Sequence, residues 1–305
     1  MDWKNPQITA ILRNALEEDR ATRDATTPAC VNPNQMAIAR VLAKQDCVLA
    51  GLGAIACCLE IFSELKGVPT PPPEVILSPG MGDGVPVTSG QVVVTVQHPA
   101  AALLSCERVI LNLLQRLSGI ATATRRYVEE IAGTKARILD TRKTAPGLRL
   151  LDKYAVTCGG GCNHRLDLSD GMLIKNNHIY LAGGIGAALA RAQQHRPEKG
   201  AIEIEVRSLA ELEEALLHGA EAVLLDNMSP EDCRRAVERV QRHSRPVPLE
   251  ASGGITLQNV RAYAEAGVDF ISIGALTHSV QAVDLSMRLQ AVLPGMPIDA
   301  LGVLK

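Results

Sequence analysis

Residues 202–206 read Ile202-Glu203-Ile204-Glu205-Val206. The period is two, so this is a strand with its aliphatic side chains on one face and both glutamates on the other. Outward from it the same rhythm recurs. Arg137-Ile138-Leu139-Asp140, Met172-Leu173-Ile174, Ala222-Val223-Leu224-Leu225, Pro248-Leu249-Glu250-Ala251 and Phe270-Ile271-Ser272-Ile273 are short aliphatic runs separated by helical segments. Strands alternating with helices imply βαβ units and a parallel sheet. Repeated this often, with Gly253-Gly254 and Gly274 closing later strands, they indicate a barrel of the (β/α) type.

The chain before residue 116 has a different texture. Ile8, Ile11, Leu12, Ala15 and Leu16 fall at helical spacing. From about Pro28 to Val109 the pattern becomes strand-like, with Val75-Ile76-Leu77 before a turn-rich stretch and Val92-Val93-Val94-Thr95-Val96 after Gly90. The small-residue run from Ala50 to Cys58 suits a helix packed closely on a flat surface, and a long helix is expected from about Leu103 to Ala132. The fold class is α/β. The expected organisation is a first domain over 1–115 and a barrel over 116–278. A C-terminal segment, 279–305, is expected to carry a helix at about Val280 to Val292 that packs back on either.

Composition narrows the function classes. The chain has 305 residues, 47% hydrophobic and only 2% aromatic, so its core is aliphatic. That scarcity argues against single-stranded nucleic-acid binding, which uses aromatic stacking platforms. A net charge of −2 offers no overall attraction to nucleic acid or anionic membrane, so any basic site is local. The start, from Met1 to Ala10, has no signal-peptide pattern. The apolar run from Cys47 to Leu59 falls well short of the roughly 20 residues of a membrane span. Eight cysteines without zinc-ribbon spacing read as reduced thiols of a cytoplasmic protein.

In barrels of this type the working residues sit where strands end. Those positions here are Asp140-Thr141-Arg142-Lys143, Lys175-Asn176-Asn177-His178, Glu205, Asp226-Asn227, Ser252-Gly253-Gly254 and Gly274. The cations Arg142, Lys143, His164, Arg165 and Lys175, with Arg108 and Arg149 as further candidates, imply an anionic small ligand. Glu205 and Asp226 end two further strands. Inside a barrel such carboxylates need a cation partner or a metal; beside a phosphate-bearing substrate the hard oxygen ligands suggest Mg²⁺, the alternative being a structural ion pair with Lys175 or Arg142. Ser252, Gly253 and Gly274 allow backbone to approach an anion, or simply form strand-to-helix turns. His178 and His278 lack metal-ligand spacing and read as structural.

These residues resemble a known family. Glu107-Arg108 through Ile120-Ala121-Thr122, Asp140-Thr141-Arg142-Lys143-Thr144-Ala145-Pro146-Gly147-Leu148-Arg149, Gly159-Gly160-Gly161-Cys162-Asn163-His164-Arg165 and Ile174-Lys175-Asn176-Asn177-His178 are similar to the quinolinate phosphoribosyltransferases. So are Glu203-Ile204-Glu205-Val206, Leu225-Asp226-Asn227, Glu250-Ala251-Ser252-Gly253-Gly254-Ile255 and Gly274-Ala275-Leu276-Thr277-His278-Ser279. Asn176, where the family often has an acid, and Arg23, where it often has glycine, depart from the pattern.

The resemblance implies an N-terminal α/β sandwich domain, an incomplete barrel, and a homodimer or higher oligomer whose active site is shared between subunits. The implied activity is decarboxylating transfer of phosphoribose from phosphoribosyl pyrophosphate to quinolinate, giving nicotinate mononucleotide for NAD biosynthesis. Arg108 would then reach the partner's pocket. Arg142, His164, Arg165 and Lys175 would hold the quinolinate carboxylates, with Lys143 between them and the sugar phosphates. Glu205 and Asp226 would face ribose and Mg²⁺, and Ser252, Gly253 and Gly274 the 5-phosphate. Lys143 or Lys175 is the expected proton donor. The alternatives are a sister enzyme acting on another base, such as nicotinate, and a non-catalytic anion sensor.

Overall fold

The computed structural model describes residues 1–196 and 200–292, which form two units, Met1–Thr122 with the chain from Gln281 onward, and Ala123–Val280. The division at Thr122/Ala123 lies later than the expected 115. It falls inside a helix, where no composition shift or turn marks it.

The first unit begins with α1 (Pro6–Glu18). Asn5 caps it by accepting from the Gln7 N–H at 2.9 Å, Pro6 stands where no helical donor is needed, and Ile8, Leu12 and Leu16 bury one stripe. After a 3₁₀ turn at Ala21–Arg23 and the short α2 (Thr27–Cys30) come β1 (Met36–Ala43) and β2 (Cys47–Val48). The small-residue run does become a helix, α3 (Ala54–Lys66), but starting later than Ala50. Gly51 sits at φ +97°, which breaks helical continuity, and a Cβ on Gly53 would collide with the Trp3 indole. β3 (Glu74–Leu77), β4 (Pro86–Val87) and β5 (Val92–Pro99) follow. The long helix α4 (Ala100–Glu130) buries Leu111, Leu114, Leu117 and Ile120.

The second unit alternates strand and helix: β6 (Arg137–Leu139), α5 (Arg149–Cys158), β7 (Met172–Ile174), α6 (Asn176–Ala182) and α7 (Ile185–Gln194). Next are β8 (Ile202–Val206), α8 (Leu209–Leu217), β9 (Ala222–Asp226) and α9 (Pro230–Gln241). Last come β10 (Leu249–Ser252), α10 (Val260–Glu265), β11 (Phe270–Ser272) and α11 (Ala275–His278). The strands are parallel in the order β6-β11-β10-β9-β8-β7. The first two strands in sequence thus form the two edges, and the barrel is incomplete. Along β8, β9 and β10 the residues Ile202, Ile204, Val206, Val223, Leu225, Leu249 and Ala251 are buried on the apolar face. The alternate positions Glu205, Leu224, Asp226, Glu250 and Ser252 line a cavity instead. One period of two therefore builds both the core and the site.

The segment expected to be a helix at Val280–Val292 is a strand. β12 (Leu285–Ala291) pairs antiparallel with β1, completing a first-unit sheet of order β12-β1-β5-β3. Leu285 and Met287 alternate inward with period two, a pattern too short to separate from helical spacing by sequence alone. Pairing with β1 satisfies its backbone, and that partner lies some 250 residues earlier in the chain. Residues beyond 292 lie outside the described residues. Among those described, no helix is long and apolar enough to cross a membrane.

Candidate active site

The C-terminal ends of the six parallel strands open on a cavity of about 380 Å³, lined by Arg142, Lys143, His164, Arg165, Lys175, Glu205, Asp226, Ser252, Gly253 and Gly274. All the expected site residues of this unit therefore meet in one place. Arg108 belongs to the other unit and is exposed on α4. Arg149 is not on the cavity wall. Its guanidinium donates to Thr144 Oγ1 at 3.1 Å and to the Leu166 carbonyl at 3.4 Å, bracing the loops on either side.

Asp140, directly after β6, turns away from the cavity. It is fully buried and ion-paired with Lys153, itself 3% exposed. Burial pushes the Asp140 carboxyl up and the Lys153 ammonium down, and the pairing opposes both shifts. Asp140 also accepts from the Asn163 amide and from the His164 N–H at 2.9 Å, while Lys153 donates to the His164 carbonyl at 2.9 Å. This buried network holds the loop that presents His164 and Arg165.

His164 Nε2 lies 3.3 Å from Glu203 Oε2 and 3.4 Å from Glu250 Oε2. Burial alone would lower its pKa, but the two glutamates override it and push the imidazole up to about 10. The Arg165 N–H, 2.7 Å from Nδ1, opposes a second ring proton. The two glutamates favour the charged ring and this amide the neutral one with its hydrogen on Nε2, so the two contacts pull the imidazole in opposite directions. The three groups are spaced closely enough to suggest a metal centre. In either ring state, however, the hydrogen on Nε2 faces the carboxylates, and a metal needs the lone pair there. The trio is a hydrogen-bonded cluster.

Arg142 Nε is buried without a hydrogen-bond partner among the described residues. Burial, and next the Arg142 guanidinium, lower the proton affinity of Arg165, so two crowded cations face the same space. Across the cavity, burial and then Asp226 push the Glu205 carboxyl up, while Lys175 and Arg207 draw it down. Arg207 lies between the acids, 3.5 Å from Asp226 Oδ2 and 3.9 Å from Glu205 Oε1. Two adjacent carboxylates that share a cation form a hard-oxygen donor set that suits Mg²⁺.

The glycines have distinct reasons. Gly253 and Gly254 take φ +98° and +61°, and Gly274 leaves room for Lys143, whose Cδ would sit 2.9 Å from a Cβ there. Thr277 Oγ1 donates to the Lys143 carbonyl at 3.0 Å, fixing that loop from α11.

Two ionisable lining residues, His278 and Glu250, are not assigned to the site by the sequence reading. His278 lines the cavity, one helical turn after Gly274, and that four-residue spacing was the available signal. Glu250 is 4% exposed, its Oε1 has no hydrogen-bond partner among the described residues, and its place on the β10 alternation opposite Leu249 and Ala251 is the available signal. His178 is not on the cavity wall; its Nδ1 accepts from the Lys175 N–H at 3.0 Å at the start of α6.

Residues 24–118 match the family described as quinolinate phosphoribosyl transferase, N-terminal domain, and residues 120–288 match its C-terminal domain. A nicotinate-nucleotide pyrophosphorylase (carboxylating) of Mycobacterium leprae is 42% identical over 279 residues, 91% of this chain and 95% of that one. A quinolinate phosphoribosyltransferase (decarboxylating) of Nicotiana tabacum is 38% identical over 302 residues, 94% and 83% of the two chains. The crystal structure of NadC from Streptococcus pyogenes superposes with a TM-score of 0.87 at 37% identity, covering 96% of this chain and 99% of that one. With both domain descriptions matched in order and relatives aligned along nearly their whole length, this chain belongs to the quinolinate phosphoribosyltransferase family.

Proposed function

We propose that this protein transfers phosphoribose from phosphoribosyl pyrophosphate to the ring nitrogen of quinolinate, with decarboxylation, to give nicotinate mononucleotide, CO₂ and pyrophosphate. The reaction is a step of NAD biosynthesis. The observation that carries it is the crowded pair Arg142 and Arg165, with Arg142 Nε buried and unpartnered among the described residues and Lys143 and Lys175 on the same wall, sharing one cavity with the carboxylates Glu205 and Asp226.

Quinolinate carries two carboxylates and phosphoribosyl pyrophosphate several phosphate charges. Arg142, Arg165 and Lys175, with His164 behind them, take the carboxylates, and Lys143 lies between these and the sugar phosphates. Ser252, Gly253 and Gly274 receive the 5-phosphate where backbone can approach it. Holding the ring nitrogen against C1 removes much of the encounter entropy. As pyrophosphate departs, C1 gains positive character, which Glu205 and Asp226 stabilise electrostatically. Glu205 and Asp226 would also hold Mg²⁺, which supplies charge neutralisation for the pyrophosphate. Once the nitrogen is quaternised the ring accepts the electron pair left when the adjacent carboxylate leaves as CO₂. Lys143 or Lys175 then delivers a proton to that ring carbon.

The working unit is a homodimer in the cytoplasm, with Arg108 of one copy completing the cavity of the other. Its exposure on α4 is compatible with that role.

The test is a pair of endpoint assays with phosphoribosyl pyrophosphate and Mg²⁺, one with quinolinate and one with nicotinate. Nicotinate mononucleotide and CO₂ from quinolinate alone are expected. Product from nicotinate alone would overturn the carboxylate assignments, and no product from either would leave an anion-binding protein without this chemistry.

A further inference from the structure

Asn227 follows the last residue of β9, directly after Asp226. Among the described residues it is one of two non-glycine residues, with Arg20, held at positive φ, here 54°. Asparagine tolerates that region better than most residues, yet it is still a sparsely used conformation. Three contacts hold it there. Its backbone N–H donates to the Ser252 carbonyl at 2.8 Å, extending the β9–β10 ladder one step past the Asp226–Ser252 pair. Its amide Nδ2 donates to Asp226 Oδ1 at 2.9 Å. Its carboxamide also lies flat against Gly253, so that a Cβ there would stand 2.6 Å from Asn227 Cγ.

These contacts meet on two parts of the cavity wall that chemistry keeps separate. Asp226 presents a carboxylate, and the Ser252–Gly254 turn presents backbone. Arg207 reaches Asp226 Oδ2 from the other side, so the carboxylate is held at both oxygens and cannot rotate freely. Without the Asn227 amide one oxygen is released. Without its carboxamide the Gly253 turn loses the surface it packs against.

We propose that Asn227 is a positioning residue. It sets the distance between the Asp226 carboxylate and the Ser252–Gly254 turn, and so registers the ribose and 5-phosphate of phosphoribosyl pyrophosphate against each other. This rests on the phosphoribosyl-transfer reading. Asn227 is not among the residues that line the cavity. Its removal therefore weakens recognition of the phosphoribosyl co-substrate and leaves that of quinolinate intact.

Asn227→Gly keeps the backbone conformation and deletes the amide. Asn227→Asp keeps size and backbone preference but places an acceptor against Asp226, and it serves if the glycine variant does not fold. Steady-state kinetics should show kcat/KM for phosphoribosyl pyrophosphate falling by about tenfold to about a hundredfold, the range for losing a hydrogen bond to a charged group. KM for quinolinate should stay within about twofold, and Asn227→Asp should be the worse of the two. In a cycle with Gly253→Ala, the alanine should do less harm in the Asn227→Gly background, because the carboxamide it strikes is gone. Equal changes in both KM values, additive effects in the cycle, or a lowered melting temperature with unchanged kinetics would each overturn the proposal. Lack of turnover by the wild-type protein would instead remove the reading beneath it, and the proposal with it.

Discussion

Replacing Lys153 by methionine removes the cation from a pair in which Asp140 is fully buried and Lys153 only 3% exposed. The remaining carboxylate would be an uncompensated buried charge. Breaking such a pair from one side costs about 3–5 kcal/mol. For a unit the size of Ala123–Val280 each kcal/mol moves the melting temperature by about 2–4 °C, so a drop of about 6–20 °C is expected.

The pH dependence separates charge from packing. With Lys153 gone, the Asp140 pKa lies above its unfolded value. The protonated state that folds without penalty is populated at low pH, and stability is lost as pH rises through the folded pKa. Asp140→Asn does the reverse. It leaves Lys153 with a pKa below its unfolded value, so stability is fully present at high pH and lost as pH falls through the folded pKa. Thermal melts from about pH 4 to about pH 10 should therefore show opposite slopes relative to wild type, Lys153→Met losing stability upward from the acid end and Asp140→Asn downward from the alkaline end. Because Asp140 also accepts from the His164 N–H, both variants should raise the quinolinate KM. Parallel slopes, or a Lys153→Met variant that melts with the wild type, would refute the buried-charge argument.

Other expectations follow from single sites. Arg142→Ala should raise the quinolinate KM and lower turnover by about a hundredfold or more, the scale of a lost charge-assisted contact; wild-type kinetics in that variant would sink its assignment. His164, held near pKa 10 by Glu203 and Glu250, should remain charged from about pH 6 to about pH 9 in nitrogen-detected NMR. Its contribution to stability is present below the unfolded pKa and is lost only as pH rises through about 10, so a titration in the ordinary histidine range would contradict the geometry. His98, on β5, is 1% exposed, with neither ring nitrogen hydrogen-bonded among the described residues. Burial lowers its pKa, so stability is lost as pH falls below the unfolded value. His98→Leu should raise stability by about 1–2 kcal/mol and flatten that acid limb, as read by chemical denaturation at two pH values.

Much of the site was legible because a parallel barrel turns linear order into position. Once β8, β9 and β10 are recognised by their period of two, the residues at their C-terminal ends must share one rim, and Glu205, Asp226, Ser252 and Gly253 do. Asp140 was the exception. The residue that follows β6 is drawn into the interior because Lys153, one strand-to-helix connection later, supplies the charge that makes its burial tolerable. Sequence spacing carries no sign of which way such a side chain turns. The β12 strand differs from the expected helix for a related reason. Its partner β1 is remote in sequence, and a seven-residue amphipathic run commits to strand only when another strand's backbone is beside it.

Sequence alone therefore determined the class of fold, the six barrel strands, and the sorting of cations, acids and glycines onto strand ends, because those depend on local periodicity and chain order. Only the tertiary structure decided which of those polar groups face the cavity and which face each other. The His164–Glu203–Glu250 cluster, the Arg207 bridge and the Asn227 contact with Gly253 all join residues from different strands or loops. Their energies depend on distances of a few ångströms in a desolvated interior, and no one-dimensional pattern encodes such distances.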